Sequence, residues 1–75
     1  MDEKKIIYEI IISIWGIVKE YFFHQLSDDE IENMCRKASA EAERFKQYGT
    51  TYNLLFRGIW SAFIQYYERG HTRNG

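Results

Sequence analysis

Residues 6–23, IIYEIIISIWGIVKEYFF, constrain the fold of this chain more than any other stretch. Isoleucine stands at positions 6, 7, 10, 11, 12, 14 and 17, with Val18, Tyr8, Trp15, Tyr21, Phe22 and Phe23 filling most of the remainder. Isoleucine is a mediocre helix former, so a strand is the competing assignment. A strand should alternate, however, and this run is too long and too continuous for one. Wound at about 100° per residue, it places Lys5, Glu9, Ser13, Gly16, Glu20 and His24 on one narrow stripe. Opposite lie Ile7, Ile11, Ile14, Val18 and Phe22, the expected core face. Ile6, Ile10 and Ile17 form one flank, and Tyr8, Ile12, Trp15 and Phe23 the other. The apolar arc spans roughly 260°, against about 100° for an ordinary surface helix. Such a helix must be covered on several sides.

The rest of the chain supplies two further helices. Leu26-Ser27-Asp28-Asp29-Glu30-Ile31 combines an N-cap serine, a capping-box glutamate three residues on, and a hydrophobic staple from Leu26 to Ile31. Helix 2 is expected over 28–48, with Ile31, Met34, Cys35, Ala38, Ala42 and Phe45 on one stripe about 100° wide. Glu32 and Arg36 form a favourable i, i+4 pair. Gly49 reads as a C-cap, and Thr50 or Thr51 as the cap of helix 3, expected over 51–69. Asn53, Arg57, Ser61, Gln65 and Glu68 mark its polar face, with Gly58 on the same side. Gly70 reads as its end.

These elements predict one all-α domain over 1–70, a three-helix up-down-up bundle with helices at about 3–25, 28–48 and 51–69 and a flexible tail at 71–75. Seventy-five residues form a thin core. Helix 1 then owns a flank that one chain does not cover. That surplus predicts a homo-oligomer, most simply a two-fold dimer. The aromatic flank is the favoured contact, with Tyr8, Ile12, Trp15, Phe23, Trp60 and Tyr67 as interface residues, because Trp and Tyr dominate interface anchors.

Composition and motif content exclude several classes. The formal net charge is −1 with both signs mixed, so no basic footprint for nucleic acid or anionic membrane exists. Glu9 interrupts the apolar run, and Lys19-Glu20 ends it, which argues against a membrane span and a signal peptide. Cys35 is the only cysteine, which fits a reducing cytoplasm and leaves no internal disulfide. It lies on the stripe of helix 2, where a small buried hydrophobe is expected rather than a nucleophile. His24, Cys35 and His71 lack metal-ligand spacing. Glu20 and His24 are spaced as a surface helix pair. No phosphate loop or nucleophile elbow occurs, and nothing asks for a cofactor.

The segments SDDEIENM, FKQYG and IQYYERG, spread over 27–70, together resemble short helical proteins encoded by phages and mobile elements of Gram-positive bacteria. Ile31 stands where those proteins often carry tryptophan. The resemblance implies a small accessory protein of the kind that binds and blocks a host defence factor. The expected function is therefore a non-enzymatic protein-interaction module, a phage-encoded inhibitor of a host defence system. One alternative is an oligomer that sequesters a nucleotide between aromatic rings at a subunit contact. A second is a small DNA-binding regulator, although Arg57 and Arg69 are few cations for a recognition helix.

Overall fold

The computed structural model describes residues 2–72, with side chains for 2–70. Among these residues the fold is all-α. Three helices, α1 (Glu3–Tyr21), α2 (Asp28–Arg44) and α3 (Thr50–Thr72), each pack against the other two in a bundle. Residues 73–75 of the expected tail lie outside the described residues.

Helix ends follow local chemistry. The Asp2 carboxylate accepts from the N–H of Lys4 at the start of α1. At α2 the capping box is complete. The Ser27 hydroxyl oxygen accepts from the Glu30 N–H at 3.2 Å, and Glu30 accepts from the Ser27 N–H at 2.9 Å. The latter bond holds the Glu30 carboxyl below the usual carboxylate range.

Four boundaries differ from expectation. α1 stops at Tyr21, earlier than 24 or 25. The chain leaves the helix as Phe22 enters a ring cluster with Trp60, Phe63 and Tyr67, at centroid distances of 5.8, 6.0 and 5.1 Å. His24 therefore lies outside the helix and faces Glu30 at 3.7 Å, while Glu20 pairs with Lys37 at 2.8 Å, so the expected Glu20–His24 pair does not form. α2 ends at Arg44, and Phe45–Tyr48 tightens into a 3-10 turn. Gly49 follows with φ +134° and ψ +149°, a conformation open essentially to glycine alone. Its carbonyl accepts from the N–H groups of Tyr52 and Asn53. Gly49 itself thus occupies the residue before α3, and Thr50 and Thr51 lie in the first turn instead of capping it. Finally, α3 continues through Gly70 to Thr72, because glycine ends a helix only when it leaves helical geometry.

The core contains Ile6, Ile10, Ile14, Ile17, Val18 and Phe22 of the first segment, Met34, Ala38 and Ala42 of α2, then Phe45 and Phe56. Relative to expectation, the buried face of α1 is rotated toward the Ile6-Ile10-Ile17 flank. Ile11 is exposed and Ile7 half-buried. Ala38 and Ala42 are buried in the same core as the isoleucine flank, and α1 packs along α2. Polar bonds close the same seam. The Ser13 hydroxyl donates to Glu41 at 2.8 Å, and Lys37 reaches Glu20. On α2, Glu32 pairs with Arg36 at 3.5 Å, but Ile31 and Cys35 are exposed. Cys35 is therefore not the buried hydrophobe its spacing implied. The real stripe, Met34-Ala38-Ala42-Phe45, is narrower and leaves Cys35 one residue to its side.

Asn53 also departs from its expected place on the polar face. It is 4% exposed. Its amide donates to the Ala42 carbonyl at 2.7 Å, and its oxygen accepts from Arg57 Nε at 3.2 Å. The last carbonyls of an α-helix lack partners within it, and the early end of α2 turns one of them toward α3. Arg57 continues to Glu43 at 3.3 Å, which ties the start of α3 to the end of α2.

Candidate interaction surface

Burial of the isoleucine flank decides which side of α1 stays uncovered. Tyr8, Ile12, Trp15 and Phe23 are between 47% and 67% exposed. Trp15 and Phe23 meet edge to face, 6.4 Å between centroids, so the aromatic flank has internal order at its C-terminal end. Four of the six expected interface residues are thus exposed, Tyr8, Ile12 and Trp15 on the open side of α1 and Phe23 just past its end. The other two do not join them. Trp60 and Tyr67 are half-buried and pack against the Phe22 ring at tilted angles.

The surface continues onto α3. A small pocket shared by both helices is lined by Ile11, Ile14 and Trp15 of α1 and by Ile59 and Phe63 of α3. Ile59 and Phe63 also border a larger open groove of about 690 Å³, running along α3 past Leu54, Leu55, Gly58, Ala62 and Tyr66. Leu54 and Tyr66 are 61% and 64% exposed. Gly58 therefore lies in an apolar groove, not on the polar side of its helix. No side chain lining the groove is charged.

On its far edge the aromatic flank meets polar groups. Tyr8 and Ile12 border a cleft completed by Glu9, Ser13, Glu41 and Arg44. Glu41 accepts from both Ser13 and Arg44, the latter at 2.9 Å. Burial pushes the Glu41 carboxyl up, but the Ser13 hydroxyl and the Arg44 guanidinium outweigh it and hold the group below the usual carboxylate range. The result is an apolar strip two helices wide, rimmed by fixed charge on the α2 side. Partner surfaces commonly set an apolar centre against a polar rim, and this strip has such a rim along its α2 side.

The α3 half of the strip is absent from the expected interface set. Its signal was present in the series Leu54, Gly58, Ala62, Tyr66, four residues apart, which defines one ridge of a helix. Glycine has no side chain, so an apolar count overlooks Gly58 and the ridge is broken at that position.

Among the described residues no three His, Cys, Asp or Glu side chains converge on a metal-sized site. No helix among them is long and apolar enough to cross a membrane. A scan against protein-family models found no match to this chain, and searches of curated proteins and of solved structures found none either.

Proposed function

We propose that this chain is a non-enzymatic protein-interaction module that works through the apolar strip across α1 and α3, in the cytoplasm, as an up-down-up bundle assembled into a homo-oligomer. The observation that carries the reading is the grouping of exposed large side chains. Tyr8, Ile11, Ile12 and Trp15 are exposed on α1, and Ile11 and Trp15 meet Ile59 and Phe63, which border the α3 groove with exposed Leu54 and Tyr66. Scattered exposed apolar residues need no explanation, but a contiguous patch of several hundred Å² marks a contact surface.

The narrower form of this reading is the one the resemblance implies: a phage-encoded inhibitor that occupies a host defence factor. Restored phage growth in a defended host, abolished by Ile12→Glu, is its expected sign. The nucleotide and DNA readings have less support. The α3 groove offers no cation to a phosphate, and Arg57 is engaged by Asn53 and Glu43.

The module reading is tested with a photo-reactive residue placed at Ile12 on the strip, or at Lys37 on the sealed side, in the producing cell. Adducts are expected from position 12 and not from position 37. No adduct from either position, or equal yields from both, would reject the strip as the working surface.

A further inference from the structure

The strip has two halves of different character. The α1 half mixes aromatic and isoleucine side chains, Tyr8, Ile11, Ile12 and Trp15. The α3 half is a groove with a floor, and its outline identifies what fits it. We infer that the groove receives a second copy of this chain, docked about a two-fold axis with α3 against α3, the axis passing between Gly58 and Ala62. This inference rests on the interaction-module reading and names the partner for the α3 half of the surface.

The first argument is shape. Leu54, Gly58, Ala62 and Tyr66 fall on one i, i+4 ridge in the order large, small, small, large. Helices that pack through such ridges cross at an angle, commonly near −50°, so they are closest at the crossing point and diverge toward the ends. Small residues suit the crossing and large ones suit the ends. Rotation by 180° about the midpoint brings the Gly58–Ala62 dent of one copy over that of the other. It also exchanges the Leu54 end with the Tyr66 end. The ridge is thus complementary to itself, the condition for an isologous contact. The dent is open: no heavy atom outside the local helix lies within 4 Å of where a Gly58 Cβ would sit.

The second argument is charge. The groove lining is uncharged, so self-docking brings no like charges together. A net charge of −1 adds little repulsion between copies.

The third argument is area. α3 is 23 residues long, which makes it about 34 Å. Because crossed helices diverge, the contact is confined to the stretch from Leu54 to Tyr66, about 18 Å long, widened by Ile11 and Trp15 alongside Ile59 and Phe63, and it covers roughly 400–500 Å² per copy. Two copies then bury about 800–1,000 Å², the low end for a specific interface and the size of a dimer that forms in the µM-to-mM range.

Sedimentation of the full chain from a few µM to about 0.5 mM tests the inference. The wild-type chain is expected to reach dimer mass within that range. Ala62→Glu sets two carboxylates beside the axis and is expected to weaken the dimer by about 100-fold or more, with an unchanged helical circular dichroism spectrum. Ser61→Glu, off the ridge, is expected to shift the dimer by less than about threefold. Gly58→Leu fills the dent without touching the core and is expected to abolish the dimer as well; it serves if Ala62→Glu does not fold. A wild-type chain that stays monomeric throughout, or a dimer indifferent to both ridge variants, overturns the inference. A monomer that still yields adducts from position 12 to another protein would sink the second copy and leave the module reading standing.

Discussion

α2 and α3 flank the same core, yet they treat solvent in opposite ways. α2 buries only Met34, Ala38 and Ala42, and its outer side is charged and largely paired, Lys37 to Glu20 and Glu43 to both Lys46 and Arg57. α3 packs Phe56, Ile59, Trp60, Phe63, Ile64 and Tyr67 onto or into the core and still presents Leu54 and Tyr66 to water. On the proposed reading, folding rests mainly on the side of α3 that faces the core and association on its outer face, with Ile59 and Phe63 at the boundary between the two. Damage to the α2–α3 seam should register as lost stability, and damage to the outer face of α3 as lost association.

Five substitutions probe that division, from the largest expected effect to the smallest. Phe56→Ala empties a site that is 0% exposed, where Phe56 stacks on Phe45 at 5.8 Å. It should cost about 3–5 kcal/mol in urea unfolding, a large share of what a domain this small possesses. Asn53→Ala leaves the Ala42 carbonyl unpartnered at the seam and should cost about 1–3 kcal/mol. A value near zero would mean that water reaches the end of α2, contrary to a sealed seam.

Gly58→Ala probes the opposite face. Its Cβ enters open space, so helix propensity alone should raise the unfolding free energy by about 1 kcal/mol at low concentration. Destabilisation would instead show that the single chain already uses this dent. Tyr66→Ser on the same face should change stability by no more than about 0.5 kcal/mol while weakening association.

The smallest effect concerns acid. Glu41 has a lowered pKa in the folded chain, so its contribution is present above the unfolded carboxylate pKa and disappears as pH falls through the folded value. Stability should therefore drop below about pH 4, and Glu41→Gln should remove part of that drop. Identical acid limbs for wild type and variant would assign the loss to other carboxylates.

How far the sequence could be read depended on the range of the interactions involved. The capping box at Ser27–Glu30, the Glu32–Arg36 pair and the turn at Gly49 are short-range features, legible because a few consecutive residues carry the whole physical cause. The excess of apolar surface on the first helix was legible too, since an arc is counted along one element. Asn53 was misread as surface because its partner, the Ala42 carbonyl, is eleven residues away and becomes available only when α2 stops early. Cys35 and Gly58 were misread for the related reason that a helical wheel gives relative angles without a zero, and the end of the first helix at Tyr21 because the rings that receive Phe22 lie about forty residues further along the chain. Trp60 and Tyr67 have the chemistry of interface anchors, and Phe22 claims them instead.

Residue order by itself determined that this chain is helical, where its strongest cap and its tightest turn lie, and that its first segment carries more hydrophobic area than an ordinary helix. Periodicity and local backbone preferences suffice for that much. Tertiary structure alone decided which flank is hidden. Ile6, Ile10, Ile14 and Ile17 join one core with Met34, Ala38, Ala42, Phe45 and Phe56, and that orientation of α1 leaves Tyr8, Ile12 and Trp15 exposed. Rotation of a helix about its own axis is fixed by what its neighbours can accommodate, and no property of the helix taken singly contains that information.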